Sequence, residues 1–152
     1  MNHLAIYSTK AYGEDYIEMM LNGKKTIDSK FTYRRTAPYG RLNKGDAIYL
    51  KESSGPVRGR VIVDNVFSGE LRNSDDVMDY LAPHQKKLGI KDEKHLLEFW
   101  EKHAEKRYVC QWSMIKPERP DNPIRITKHD MRSWVVDFAL PENVLLAFID
   151  KS

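Results

Sequence analysis

A chain of 152 residues suits one domain, because a length of about 150 supports a single core that hides roughly 70% of the unfolded surface. With 41% hydrophobic and 31% charged residues, three Trp, eight Tyr and five Phe, it has the material for a packed core, which excludes a disordered chain. A single cysteine, Cys110, excludes an intrachain disulfide and a cysteine-based zinc site, and no apolar run approaches the ~18 residues of a membrane span. We therefore expect a cytoplasmic protein with no metal, no cofactor and no membrane partner. The net charge of +3 is unevenly spread: Lys24 to Arg60 holds ten Lys/Arg against three acids, a local +7 that leaves −4 for the rest.

In chain order, the apolar run His3 to Tyr7 predicts an opening strand. Gly13-Glu14-Asp15 then signals a helix start, and Tyr16, Ile17, Met20 and Leu21 recur at helical spacing until Gly23 stops the helix. Thr26 to Phe31 predicts a strand with Ile27 and Phe31 on its apolar side. Thr36 to Gly40 and Asn43 to Asp46 are turns, and Ala47 to Lys51 is a buried strand candidate. After the turn Ser53 to Pro56, the β-branched stretch Val57 to Phe67 predicts a long strand pairing back on its predecessor.

Ser74-Asp75-Asp76 is expected to cap a helix that ends near Ala82-Pro83, and Asp92 to start another running to about Glu105. Tyr108 to Ile115 returns to strand character, Lys116 to Pro123 reads as a proline-rich loop, and Ile124 to Ile126 is short and extended. Ser133 to Val136 is the last clear strand, while apolarity alone leaves Pro141 to Phe148 open between helix and strand. Short clustered strands with a leading helix and inserted helices predict an α+β, mainly β domain: a small, partly open barrel with helices at its rim and a helical insertion at about 74–105. No phosphate loop, metal-spaced histidine pair or glycine-flanked serine nucleophile is present in the sequence.

The run Asn22-Gly23-Lys24-Lys25-Thr26-Ile27-Asp28-Ser29-Lys30 resembles the ASCH motif, in which a helix-ending glycine leads to Lys-Thr, an acid and a base. Tyr39-Gly40-Arg41-Leu42 and Lys44 to Leu50 look like that family's following loop and Gly-Asp strand, Val57 to Val66 like its next strand, and the Trp134 strand like the one that closes the barrel. The resemblance covers most of residues 13–67 and, more loosely, 108–138. It implies a PUA-like barrel with a cleft beside the Gly-Lys-Thr segment, and a tie to RNA. Some members are modules in translation or transcription coactivators, and some small bacterial ones act on RNA or acetylated cytidine.

Read for its chemistry alone, Gly23 permits a sharp turn that sends Lys24 and Lys25 in different directions. A lysine at a cleft mouth holds a phosphate as a point charge or, if desolvated, carries a proton or acts as a nucleophile. Asp28 is near enough to pair with a lysine or to accept from a ligand amine. The bland alternative is a structural Lys25–Asp28 pair with Lys24 solvated. Lys30, Arg34 and Arg35 interleave with Phe31 and Tyr33, and cations beside aromatic platforms hold single-stranded nucleic acid. Lys51 and Arg132 extend that basic set.

Trp100 and Trp134, beside apolar neighbours, read as core. Trp112, between polar Gln111 and Ser113, is either a stacking surface for a base or buried. His84, His95 and His103 lie in the helical section and His3 and His129 far off; none pairs as metal ligands.

Three functions follow. The leading one is a module that binds RNA, single-stranded nucleic acid or a nucleoside-like molecule through Lys24, Lys25, Lys30, Tyr33, Arg34, Arg35, Lys51, Trp112 and Arg132. The second is a hydrolase of the acetylcytidine amidohydrolase or ribonuclease type with Lys25, Thr26 and Asp28 as catalytic residues. The resemblance weakens it, because the amidohydrolases have a hydroxyl residue where Asp28 stands and a Glu where this chain has Lys86-Lys87-Leu88. The third is a protein-interaction domain using the acidic helices.

Overall fold

The structure, a computed structural model, describes residues 1–8, 13–127 and 132–149. Six strands, β1 (Asn2–Tyr7), β2 (Ile27–Thr32), β3 (Ala47–Glu52), β4 (Val57–Glu70), β5 (Tyr108–Glu118) and β6 (Trp134–Val135), form one sheet in the order β2-β5-β4-β3-β1-β6. Only β1 and β3 run parallel; the other four pairings are antiparallel. The expected barrel is thus a six-stranded half-barrel, open between β2 and β6.

Strand alternation divides the apolar residues between an inside and an outside. Ala5, Ile48, Leu50, Val61, Val63, Cys110, Trp112, Met114 and Trp134 form the inner core. Helix α1 (Tyr16–Leu21) packs into it through Tyr16, Ile17, Met20 and Leu21. Asp15 caps this helix by accepting from the Glu18 N–H at 3.1 Å. Gly23 ends it at φ +84°, a left-handed turn that a side chain resists. A Cβ at Gly59 would overlap Leu21 and stand 2.8 Å from the Glu118 carbonyl oxygen, so glycine is what lets α1 approach β4.

The outside carries two further layers, so the helices flank the sheet rather than sit only at its rim. Helices α2 (Ser74–Leu81) and α3 (Glu93–His103) are inserted between β4 and β5 and pack Val77, Leu81 and Leu96 against Phe31 and Val109. The tail resolves as helix α4 (Glu142–Ile149), whose Val144 and Phe148 cover Leu4, Ala47, Tyr49 and Val57.

Three expectations need correction. The α2 cap is Asn73, which accepts from the Asp76 N–H at 3.1 Å, not Ser74. Strand β5 runs on to Glu118 instead of yielding to a loop at Lys116: a register shift opposite Arg60 and Ile62, with Lys116 at φ +51°, makes a bulge that accommodates Pro117. Trp100 is half-buried, joining α3 to the start of α2 through its indole N–H on the Ser74 carbonyl at 2.8 Å, and neighbouring Leu97 is exposed.

A candidate nucleic-acid cleft at the barrel seam

Where the sheet stays open, side chains span the gap. Alternation on β2 sends Ile27 and Phe31 outward to the helices, which leaves Asp28 and Lys30 facing in. The same alternation on β1 turns Tyr7 inward with Ala5. The Tyr7 hydroxyl donates to Asp28 Oδ2 at 2.6 Å, and the Lys30 ammonium donates to Ser133 Oγ, on the residue before β6. These two bonds tie opposite edges of the half-barrel and define a seam.

The seam encloses a cavity of about 260 Å³, lined by Tyr7, Tyr16, Trp112 and Trp134 and by the polar Asp28, Ser29, Lys30, Lys102 and Ser133. Lys30, Ser133 and Trp134 also border an outer groove of about 570 Å³, whose other walls include Thr36, Arg41 and Arg132. The inner chamber and the outer groove therefore share one border at Lys30, Ser133 and Trp134, and Lys30, Arg41 and Arg132 are basic residues on the groove.

Asp28 has several partners in the chamber. Besides Tyr7 it has the Lys25 ammonium at 3.3 Å from Oδ1 and accepts from the Ser29 N–H at 2.9 Å. Lys25 is itself only 5% exposed; it donates to the Leu88 carbonyl at 2.6 Å and lies 5.1 Å from the Tyr16 ring centre. That carbonyl follows Lys87, whose own carbonyl accepts from the Thr26 and Ile27 N–H groups. The segment 86–88 therefore enters the site through its backbone.

Burial, and then the Asp28 charge, push the Tyr7 phenol well above its ordinary range, so it stays a hydrogen-bond donor. Burial also lowers the Lys30 ammonium, with Lys106 acting in the same direction and Asp28 opposing it. A cation held in this partly dry position gains from any anion that arrives.

The expected site residues divide accordingly. Lys25, Asp28, Lys30, Trp112 and Arg132 come together at the seam or its groove. Trp112 is 1% exposed, packs edge-on against Trp134 at 5.3 Å, and its indole nitrogen meets no acceptor among the described residues. Tyr33 is 57% exposed, with the Lys106 ammonium 4.1 Å from its ring centre. Arg34 is exposed, and Arg35 bonds Glu70 at 2.8 Å while lying over the Tyr108 ring.

Lys24 lies elsewhere, exposed beside a separate shallow depression with Lys86 and Lys91. Lys51 is buried on β3, where it donates to the Glu52 carbonyl, and lines neither seam cavity nor groove. Sequence reasoning missed Tyr7 and Ser29, and it missed Lys102, which the helical insertion delivers to the chamber from its basic last turn.

Three of the histidines make structural contacts. His3 is fully buried, bonded to Asp46 at 2.8 Å and accepting from the Trp134 indole N–H at 3.1 Å. His95 bonds the α3 cap Asp92, and His103 stacks on Phe31 with ring centres 4.9 Å apart. His129 lies outside the described residues. Among the described residues no cluster of three His, Cys, Asp or Glu could hold a metal, and no helix is long and apolar enough to cross a membrane.

No family model matches the sequence, and no curated protein matches it. Solved structures do match. ASCH from Zymomonas mobilis is 11% identical, with a TM-score of 0.63 over 98% of this chain and 94% of that one. A serine-to-alanine variant of that protein scores 0.62 at 11% identity over 99% and 95%. The N-terminal domain of Staphylothermus marinus McrB scores 0.50 at 9% identity over 82% and 76%. The chain therefore has the ASCH fold, the PUA-like half-barrel that its Gly-Lys-Thr segment led us to expect.

Proposed function

We propose that this ASCH-fold chain binds RNA as a single strand, or a nucleotide, at the seam, with one base in the inner chamber and phosphates along the outer groove. The observation that carries the reading is the sequence of chemistry along the cleft. A chamber of about 260 Å³ lined by four aromatic side chains opens past Lys30 and Lys102 into a groove bordered by Arg41 and Arg132. The chamber is just under the ~300 Å³ lower bound of ordinary small-molecule pockets, which suits an unstacked base and excludes a duplex. Cations at its mouth supply the sequence-independent attraction to phosphate.

Binding fits better than turnover. A lysine that does acid, base or nucleophilic work presents its nitrogen to the substrate. Lys25 is instead held by the Leu88 carbonyl and by Asp28.

Fluorescence anisotropy with a labelled single-stranded RNA across a salt series tests the proposal. Each phosphate contact on a single strand contributes about −0.7 to the slope of log K against log salt. Lys30→Ala with Lys102→Ala should flatten the slope by about 1.4 while leaving the folded state intact. An affinity independent of salt, or a double variant that binds like the unmodified chain, sinks the reading.

A further inference from the structure

Resting on the seam as the binding site, we infer that Asp28 selects the base: the chamber takes one bearing an exocyclic amino group, such as cytosine or adenine, in preference to uracil. Among the described residues, every other polar residue lining the chamber has a side chain with at least one hydrogen-bond donor: Tyr7, Ser8, Tyr16, Ser29, Lys30, Lys102, Ser133 and the two tryptophans. Asp28 alone is acceptor-only as a carboxylate, and it faces the chamber from β2 with 13% of its side chain exposed.

Its acceptor positions can be counted. A carboxylate offers about four lone-pair directions. Tyr7 occupies one on Oδ2, and Lys25 and the Ser29 N–H share Oδ1. Among the described residues one direction remains on Oδ2, so the wall there is short of a single N–H. Lys25 and Tyr7 hold the carboxylate in place before any ligand arrives.

The shape of the vacancy discriminates among bases. An exocyclic amino group projects from the ring and reaches a recessed oxygen with one N–H. The ring N–H of uracil lies between two carbonyl oxygens, and presenting it to Asp28 would bring at least one of them against the carboxylate. That repulsion, together with an unmatched buried acceptor, is the kind of mismatch that separates ligands more strongly than shape does. The chain thus gains base preference from a residue whose first visible duty is to join two strands.

The test compares single-stranded RNA dodecamers of cytidine, of uridine and of N4,N4-dimethylcytidine on the unmodified protein. The cytidine strand should bind about tenfold more tightly than either of the others, because dimethylation removes the donor and leaves the ring. Asp28→Asn, whose amide both donates and accepts, should erase the preference; the dimethylated ligand decides the matter if that variant does not fold. Equal binding of all three strands, each weakened by Lys30→Ala, would overturn the role of Asp28 and leave the seam as the site. Failure of every strand to bind, or binding untouched by Lys30→Ala, would overturn the seam reading and this inference with it.

Discussion

The wall of the half-barrel built from β3 and β4 and the seam between β2 and β6 face the same interior under the same two-residue alternation, yet they fill it differently. The wall sends in Ile48, Leu50, Val61 and Val63, all buried, and neighbouring strands close around them through backbone bonds. Among the described residues the seam has no shared backbone ladder, and Tyr7, Asp28, Lys30 and Ser133 reach across it with their side chains. An edge strand with open N–H and C=O groups invites pairing, and charged inward residues are one way a protein blunts it. Apolar packing and backbone bonds close the wall, while the polar closure of the seam leaves a cavity behind it.

The largest effect should come from breaking the wall. Leu50 is fully buried, and Leu50→Ala should cost about 3 kcal/mol in urea unfolding, within the 2–5 kcal/mol range for buried leucine truncation. The RNA affinity proposed for the seam should not change per folded molecule, since Leu50 does not line the chamber. A loss of affinity larger than the loss of folded protein would show that wall and seam are not separable.

Acid should act next, on the seam side alone. His103 stacks on Phe31 of β2, and burial, aided by Lys102 and Lys106, lowers its pKa to about 4. In the unfolded chain a histidine titrates near 6.5. Between those values the unfolded state binds a proton that the folded state does not, so stability should fall as pH drops from about 6.5 to 4 and stay flat above 6.5. The whole window amounts to roughly 3 kcal/mol. Hydrogen exchange should quicken first in β2, with β3 and β4 amides lagging, and His103→Leu should remove most of the slope.

A subtler probe is Tyr7→Phe, which deletes one bond across the seam and nothing from the wall. Hydrogen bonds to charged groups contribute about 2 kcal/mol, and that is the loss expected in urea unfolding at neutral pH. A cost near zero would mean that the seam is held by packing of Trp112 on Trp134 instead.

The contrast also explains what could be read from the sequence. The wall was legible because β-branched alternation in Val57 to Val66 and the apolar run at Ala47 are local signals, and the Gly23 turn was legible because its left-handed φ has a short list of residues. Alternation even puts Asp28 and Lys30 on one side. Their partners are not local: Tyr7 is 21 residues from Asp28, and Ser133 is 103 from Lys30. Trp112 looked ambiguous because Gln111 and Ser113 are polar, but those face the other way. Gln111 spends its amide on Ser29 Oγ and the Tyr80 carbonyl, each at 2.8 Å, and so docks the inserted helices. Lys102 was hidden by the acidic average of its segment, which says nothing about where the last turn of α3 ends up.

The smallest effect should come from a charge pair outside both regions. Arg119 grips Glu18 of α1 with two bonds of 2.8 Å, the geometry that gives ion pairs their best chance, and both side chains remain more than two-fifths exposed. Its hydrogen bonds lower the Glu18 carboxyl against a modest opposing effect of burial. Solvent and salt screen such a pair, so Arg119→Ala should cost no more than about 0.5 kcal/mol and less as salt is added. Lys25 and Asp28 are the same kinds of charge at a longer distance, but buried at the seam, where an abandoned partner has no water to turn to. If Arg119→Ala proved as costly as Tyr7→Phe, burial would not be what sets the seam apart, and the polar closure would lose its claim to be the part of this barrel built for binding.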